Sequence, residues 1–244
     1  MARAGIASTT VAFALVVVIT LAGVGLYAAV APPTAVTSTL TSRSITTSSA
    51  SASVSLTMVP AVPLVAPGQI QNYSEVEVQA LGTAQPEVTL RAFAPAGLTI
   101  TLNESSITAN AAPQPVPFAL TASRNVVPAN YTVTIETIQN GLTGRNETFT
   151  IMVVPELVTM QALAFHPQNI TVPVGTRVYW INLDSYIGCC DPGNHDVSFV
   201  SGGTGLSPIL QRLQTWSYLF NTPGTVDYIC NIHPYMKGQV TVTG

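Results

Sequence analysis

The sequence predicts an all-β protein with two β-sandwich domains, set behind an apolar N-terminal helix and a flexible Ser/Thr-rich linker. Three observations carry that expectation. Over residues 58–244, apolar side chains recur at every second position in short runs, and no long stretch has the 3.6-residue period of a helix. Clusters drawn from the chain's 18 Pro and 17 Gly separate those runs, as turns do. At 244 residues the chain is long enough for one large or two ordinary domains. Only 8% of residues are charged and the formal net charge is −3, so the basic footprint that nucleic-acid binding requires is missing. Three cysteines are too few for a disulfide framework.

Residues 1–31 come first. Arg3 lies near the start, and no further charge appears before Arg43. From residue 5 to residue 31 the chain is apolar or small, long enough to span a bilayer as a helix. Positive charge on its N-terminal side predicts a cytoplasmic N-terminus and an exported remainder. A cleaved signal peptide competes with that reading, because Ala29-Val-Ala31 resembles a cleavage site. Pro32 directly after the site hinders cleavage and the run is long for a signal peptide, which favours an uncleaved single-pass anchor in the cell membrane. Either way, the domains are expected on the extracellular or periplasmic side. Residues 32–57 are rich in Pro, Ser, Thr and Ala and lack apolar periodicity, so they read as a linker that cannot bury enough surface to fold.

Residues 58–155 contain half-buried strand patterns such as Ser74-Glu-Val-Glu-Val-Gln79 and Tyr131-Thr-Val-Thr-Ile-Glu136. Short strands at this spacing predict a seven- or eight-stranded sandwich of immunoglobulin-like type. It contains no His and no Cys, which leaves a spacer as its default role. Five Asn-x-Ser/Thr sites (Asn72, Asn103, Asn130, Asn146 and Asn169) fit an exported surface.

Residues 156–244 carry the chemistry. Cys230, His233 and Met236 place a thiol, an imidazole and a thioether within seven residues, between two strand-like runs. A soft sulfur, a borderline nitrogen and a weak thioether suit copper that cycles between two oxidation states. One more imidazole would complete a His2Cys set, and of the chain's three His, His195 sits upstream in a strand-like run.

Val172-Pro-Val-Gly-Thr-Arg-Val-Tyr-Trp-Ile-Asn182, His195-Asp-Val-Ser-Phe199 and Pro223-Gly-Thr-Val-Asp-Tyr-Ile-Cys-Asn-Ile-His-Pro-Tyr-Met-Lys-Gly238 together resemble a cupredoxin, with a short ligand loop similar to the amicyanin and plastocyanin branch. The resemblance covers roughly the last third of the chain. It implies a Greek-key β-sandwich with one type 1 copper held by His195, Cys230, His233 and Met236. It also implies that His195 is buried, while the ring edge of His233 reaches the surface beside Pro234 and Tyr235, where exported or membrane redox proteins would dock as electron donor and acceptor.

Two departures from the family pattern stand out. The residue before the loop His is usually Pro in this branch; here it is Ile232, whose N–H is available to the Cys230 sulfur. Asp196 stands where the family usually has Asn, and Asn231 is its candidate partner across the two ligand segments. The stretch from Asn182 to His195 is also longer than in small cupredoxins. Its Asp191-Pro-Gly193 is turn chemistry, and its adjacent Cys189 and Cys190 are open to a vicinal disulfide, an intermolecular disulfide, an extra metal site or two packed thiols.

A second copper for oxygen or nitrite chemistry needs more His than His166 can supply, so catalysis by this chain alone is not expected. The expected function is single-electron transfer. A surface copper-delivery protein, for which the exposed Cys pair would speak, and an adhesion protein that has lost its metal are the alternatives.

Overall fold

The structure, a computed structural model, describes residues 52–186, 188 and 190–244. The expected membrane anchor, most of the expected linker and Cys189 lie outside the described residues. Among the described residues, no helix is long and apolar enough to cross a membrane.

Nine strands fill residues 53–153: β1 (Ser53–Val59), β2 (Leu64–Val65), β3 (Ile70–Leu81), β4 (Glu87–Phe93), β5 (Leu98–Leu102), β6 (Ser106–Thr108), β7 (Gln114–Ala122), β8 (Ala129–Gln139) and β9 (Leu142–Val153). They form two sheets, β1-β3-β7-β5 and β2-β9-β8-β4-β6. Alternate residues such as Val76, Val78, Phe118, Leu120, Val133 and Ile135 are buried in one core between them, as the two-residue period of a strand requires. The linker ends earlier than the composition implied. Ser53–Thr57 belong to β1 because Val54, Leu56 and Met58 alternate inward, a pattern that the Ser and Thr between them obscure.

Eight strands follow: β10 (Glu156–Gln161), β11 (Ala164–His166), β12 (Asn169–Pro173), β13 (Thr176–Asn182), β14 (Ser198–Ser201), β15 (Thr215–Phe220), β16 (Gly224–Ile229) and β17 (Lys237–Thr243). They form the sheets β11-β10-β13-β15 and β12-β17-β16-β14, with β10/β13 and β12/β17 parallel and the remaining pairs antiparallel. Their shared core is aromatic. Trp180 and Tyr228 are fully buried with ring centroids 5.6 Å apart, and Phe165 lies edge-on to Tyr228 at 4.8 Å. A third cluster joins the two halves. Leu157 and Ile181, on the outer face of β10 and β13, pack with Leu64, Ala66 and Val154.

For the site, two features of this frame matter. Strands β16 and β17 are a hairpin whose loop runs from Cys230 to Met236, closed by Cys230 N–H to Met236 O at 3.2 Å and Met236 N–H to His233 O at 2.8 Å. His195 precedes β14, which pairs with β16, and its backbone is fixed by reciprocal bonds with Leu210 of 3.1 and 2.7 Å.

Candidate metal centre

The hairpin loop and the segment before β14 bring two imidazoles and a thiol together at one end of the second sandwich. His195 Nδ1 lies 3.1 Å from His233 Nδ1, and Cys230 Sγ lies 3.8 and 3.7 Å from those nitrogens. A point equidistant from these three atoms is about 2.1 Å from each, the length of a first-row metal bond to imidazole and slightly short of one to thiolate. Cys230 and His195 are fully buried, and Met236 is buried in the same core cluster as Cys230. A thiolate, two imidazoles and a thioether in one dry site match the donor set that suits copper in both oxidation states.

The sulfur environment is set by backbone amides. Burial pushes the Cys230 thiol up; the N–H of Asp196 opposes this at 3.5 Å, as do those of His233 and Ile232. The Asp196 carboxylate accepts the Asn231 N–H at 2.6 Å and the Asn231 side-chain amide at 2.7 Å, so the two ligand segments are tied through Asp196 and Asn231.

His233 differs from expectation. Its ring edge was expected at the surface, but the residue is only 7% exposed. Asp191 covers the ring edge: its Oδ2 lies 2.7 Å from His233 Nε2. Pro234 is exposed, and the Tyr235 ring, 63% exposed, sits with its centroid 5.9 Å from that of His233. On the other imidazole, Asp184 Oδ2 lies 2.9 Å from His195 Nε2. Gly193 N–H, then His233, hold the Asp191 carboxyl below its ordinary value. Cys190 is exposed.

Asp184 and Asp191 were invisible to motif reading because neither lies in a recognisable spacing with the sulfur and imidazole donors. The available signal was composition: two of the chain's 11 acidic residues fall in the stretch just before His195. The turn that receives Asp184 was equally hidden. Ala162 and Leu163 join β10 to β11 with φ of 53° and 59°, a left-handed backbone that costs roughly 1–2 kcal/mol per non-glycine residue.

A buried His2Cys centre, built from a hairpin loop and the segment before β14 at the end of a β-sandwich, defines a metal protein of mononuclear type. A family profile described as copper binding proteins of the plastocyanin/azurin family matches residues 152–243. Amicyanin-alpha of Methylorubrum extorquens is 37% identical over 90 residues, which are 35% of this chain and 69% of the relative. Amicyanin of Paracoccus denitrificans is 32% identical over 90 residues, 35% of this chain and 63% of the relative, so the chain spans less than two thirds of that protein. Through its C-terminal part, the chain belongs to the plastocyanin/azurin family of copper-binding proteins. Among solved structures, a Cu(I) form of an amicyanin variant is 31% identical, over 36% of this chain and 80% of that chain, with a TM-score of 0.32. A purple cupredoxin from Nitrosopumilus maritimus is 26% identical over 36% of this chain and 99% of that chain, also at 0.32.

Proposed function

We propose that the protein is a membrane-tethered type 1 copper protein that passes single electrons between redox partners outside the cytoplasm, with His195, Cys230, His233 and Met236 as the copper ligands. The observation that carries this reading is the arrangement of the three buried donors, 3.1 to 3.8 Å apart, on two segments locked to one hairpin. Copper in such a site supplies a one-electron couple. The chain supplies rigidity. The Asp196–Asn231 bridge and the loop closure at Met236 hold the donors in one geometry, which favours rapid change of oxidation state.

Burial of the three donors supports a carrier rather than an enzyme, and it argues against a delivery protein that must surrender its ion. Partners would dock over Ile232, Pro234 and Tyr235. Ile232 is 43% exposed and Tyr235 63%, and the Tyr235 ring is the exposed group against His233. In this reading residues 1–31 anchor the chain and residues 58–155 act as an immunoglobulin-like spacer.

Stopped-flow oxidation and re-reduction of the copper-loaded protein tests the carrier role. Fast, fully reversible single-electron cycles, slowed by Tyr235→Lys when the partner is a protein but not when it is a small inorganic oxidant, are expected. Loss of copper on each reduction would sink the carrier reading and favour delivery.

A further inference from the structure

We propose that Asp184 and Asp191 are positioning residues of the metal site: each accepts the Nε2–H of one imidazole, fixes that ring with Nδ1 turned toward Cys230, and holds a negative charge one ring away from the bound ion. The inference rests on the copper reading above and deepens it.

The pattern is the same on both rings. His195 Nε2 lies 2.9 Å from Asp184 Oδ2, and His233 Nε2 lies 2.7 Å from Asp191 Oδ2. An ionised carboxylate only accepts, so the proton belongs on Nε2 and the lone pair on Nδ1 faces the centre. Each carboxylate is itself held. Asp184, 8% exposed, accepts Ala162 N–H on Oδ1 at 2.7 Å and Leu163 N–H on Oδ2 at 3.0 Å, while its own N–H donates to Asn182 Oδ1 at 2.9 Å. Those two amides are successive, from the left-handed Ala162-Leu163 pair, and together they form a concave anion seat. The two-residue hairpin between β10 and β11 takes this left-handed backbone at both positions, and the Asp184 carboxylate occupies the two amides it presents.

Asp191 is held by a different device. Gly193 N–H donates to its Oδ1 at 2.8 Å and leaves Oδ2 for His233. Gly193 has φ +69°, and a Cβ there would collide with the Ser185 carbonyl, so only glycine closes the loop tightly enough to bring Asp191 over the ring. Asp184 and Asp191 therefore act as a clamp, one acid on each ring. Both carboxylates interact more strongly with Cu(II) than with Cu(I), because the attraction scales with the charge of the ion. Their combined effect is to stabilise the oxidised ion and to lower the potential that the amides around Cys230 raise.

The test uses the full chain with Asp191→Asn, Asp191→Ala and Asp184→Asn. In the zinc-loaded, nitrogen-15-labelled protein, both imidazole Nε2–H groups are expected to be protected from solvent exchange, and Asp191→Ala, which leaves no oxygen to accept it, should release that of His233 alone. Competition titrations should show that Asp191→Asn weakens Cu(II) binding about 10–100-fold and Cu(I) binding less, with a higher potential as the consequence. A purely structural role would lower both affinities together and leave the potential in place. That result, or unchanged ring N–H signals, overturns the proposal. Asp184→Asn also disturbs the Ala162-Leu163 turn, so if it fails to fold the Asp191 variant decides. Should the wild type bind zinc through these donors yet form no blue copper centre, the carrier reading fails while the ring N–H signals and zinc affinities still judge the clamp.

Discussion

Replacing Asp196 with Ala removes the carboxylate bridge between the segment that carries His195 and the loop that carries Cys230 and His233, and the structure allows its cost to be worked out. Asp196 is 6% exposed, and its carboxylate accepts two bonds from Asn231, of 2.6 and 2.7 Å. A hydrogen bond to a charged group contributes about 1.5–3 kcal/mol net. Asn231 is exposed, so its freed donors regain water and the loss is nearer one such bond than two: about 2–3 kcal/mol. Asp196→Asn keeps one oxygen for the Asn231 N–H, and its new amide can donate to the Asn231 side chain once that amide turns over. Its cost should be about 1 kcal/mol or less. Urea unfolding of the metal-free protein measures both. The chain's 2 tryptophans, Trp180 and Trp216, lie in the second sandwich, so their fluorescence follows the half that contains the bridge. The midpoint should fall markedly for Ala and slightly for Asn, at constant slope. An Ala variant within about 0.5 kcal/mol of wild type, or an Asn variant as costly as Ala, would refute the bridge as a stabilising element.

Gly238→Ala places a methyl group on the fully buried Tyr228 ring, directly after Met236 and Lys237, and should cost about 1–3 kcal/mol by the same fluorescence assay; a neutral result would mean that the ring has room to move. Ile232→Pro removes one of the amides that favour the Cys230 thiolate, so voltammetry should record a lower reduction potential, and an equal or higher one contradicts the assignment. Burial pushes the Tyr228 hydroxyl up to about 12 from 10.0, against a smaller opposing effect of Trp180, and moves Tyr73 in the same direction. The unfolded chain then loses these protons first, so their effect on stability is flat below about pH 10 and unfavourable above it. Urea midpoints should fall from about pH 10 upward and fall less steeply in Tyr228→Phe; identical slopes in the two proteins would remove Tyr228 as a cause.

The residues that make the centre were readable because their chemistry is local. Cys230, His233 and Met236 occupy one loop, and a chain with three His leaves few choices for the remaining imidazole. The two-residue alternation that fixes β16 and β17 was readable for the same reason. Where alternation is masked, as by Ser and Thr between Val54, Leu56 and Met58, the first strand was missed. The exposure of His233 could not be read, because it depends on a segment about forty residues upstream in sequence closing through Gly193 and Asp191. Asp184 depends on a left-handed turn made by Ala162 and Leu163, residue types that give no turn signal of their own.

The most direct test of the central claim is the visible and EPR spectrum of the full chain with Cu(II), compared with that of Cys230→Ser. An intense thiolate-to-copper band with narrow copper hyperfine splitting, abolished by the substitution, is the predicted result. A weak, ordinary Cu(II) spectrum that survives Cys230→Ser would contradict it, because copper would then be held without the buried thiolate on which the electron-transfer reading depends.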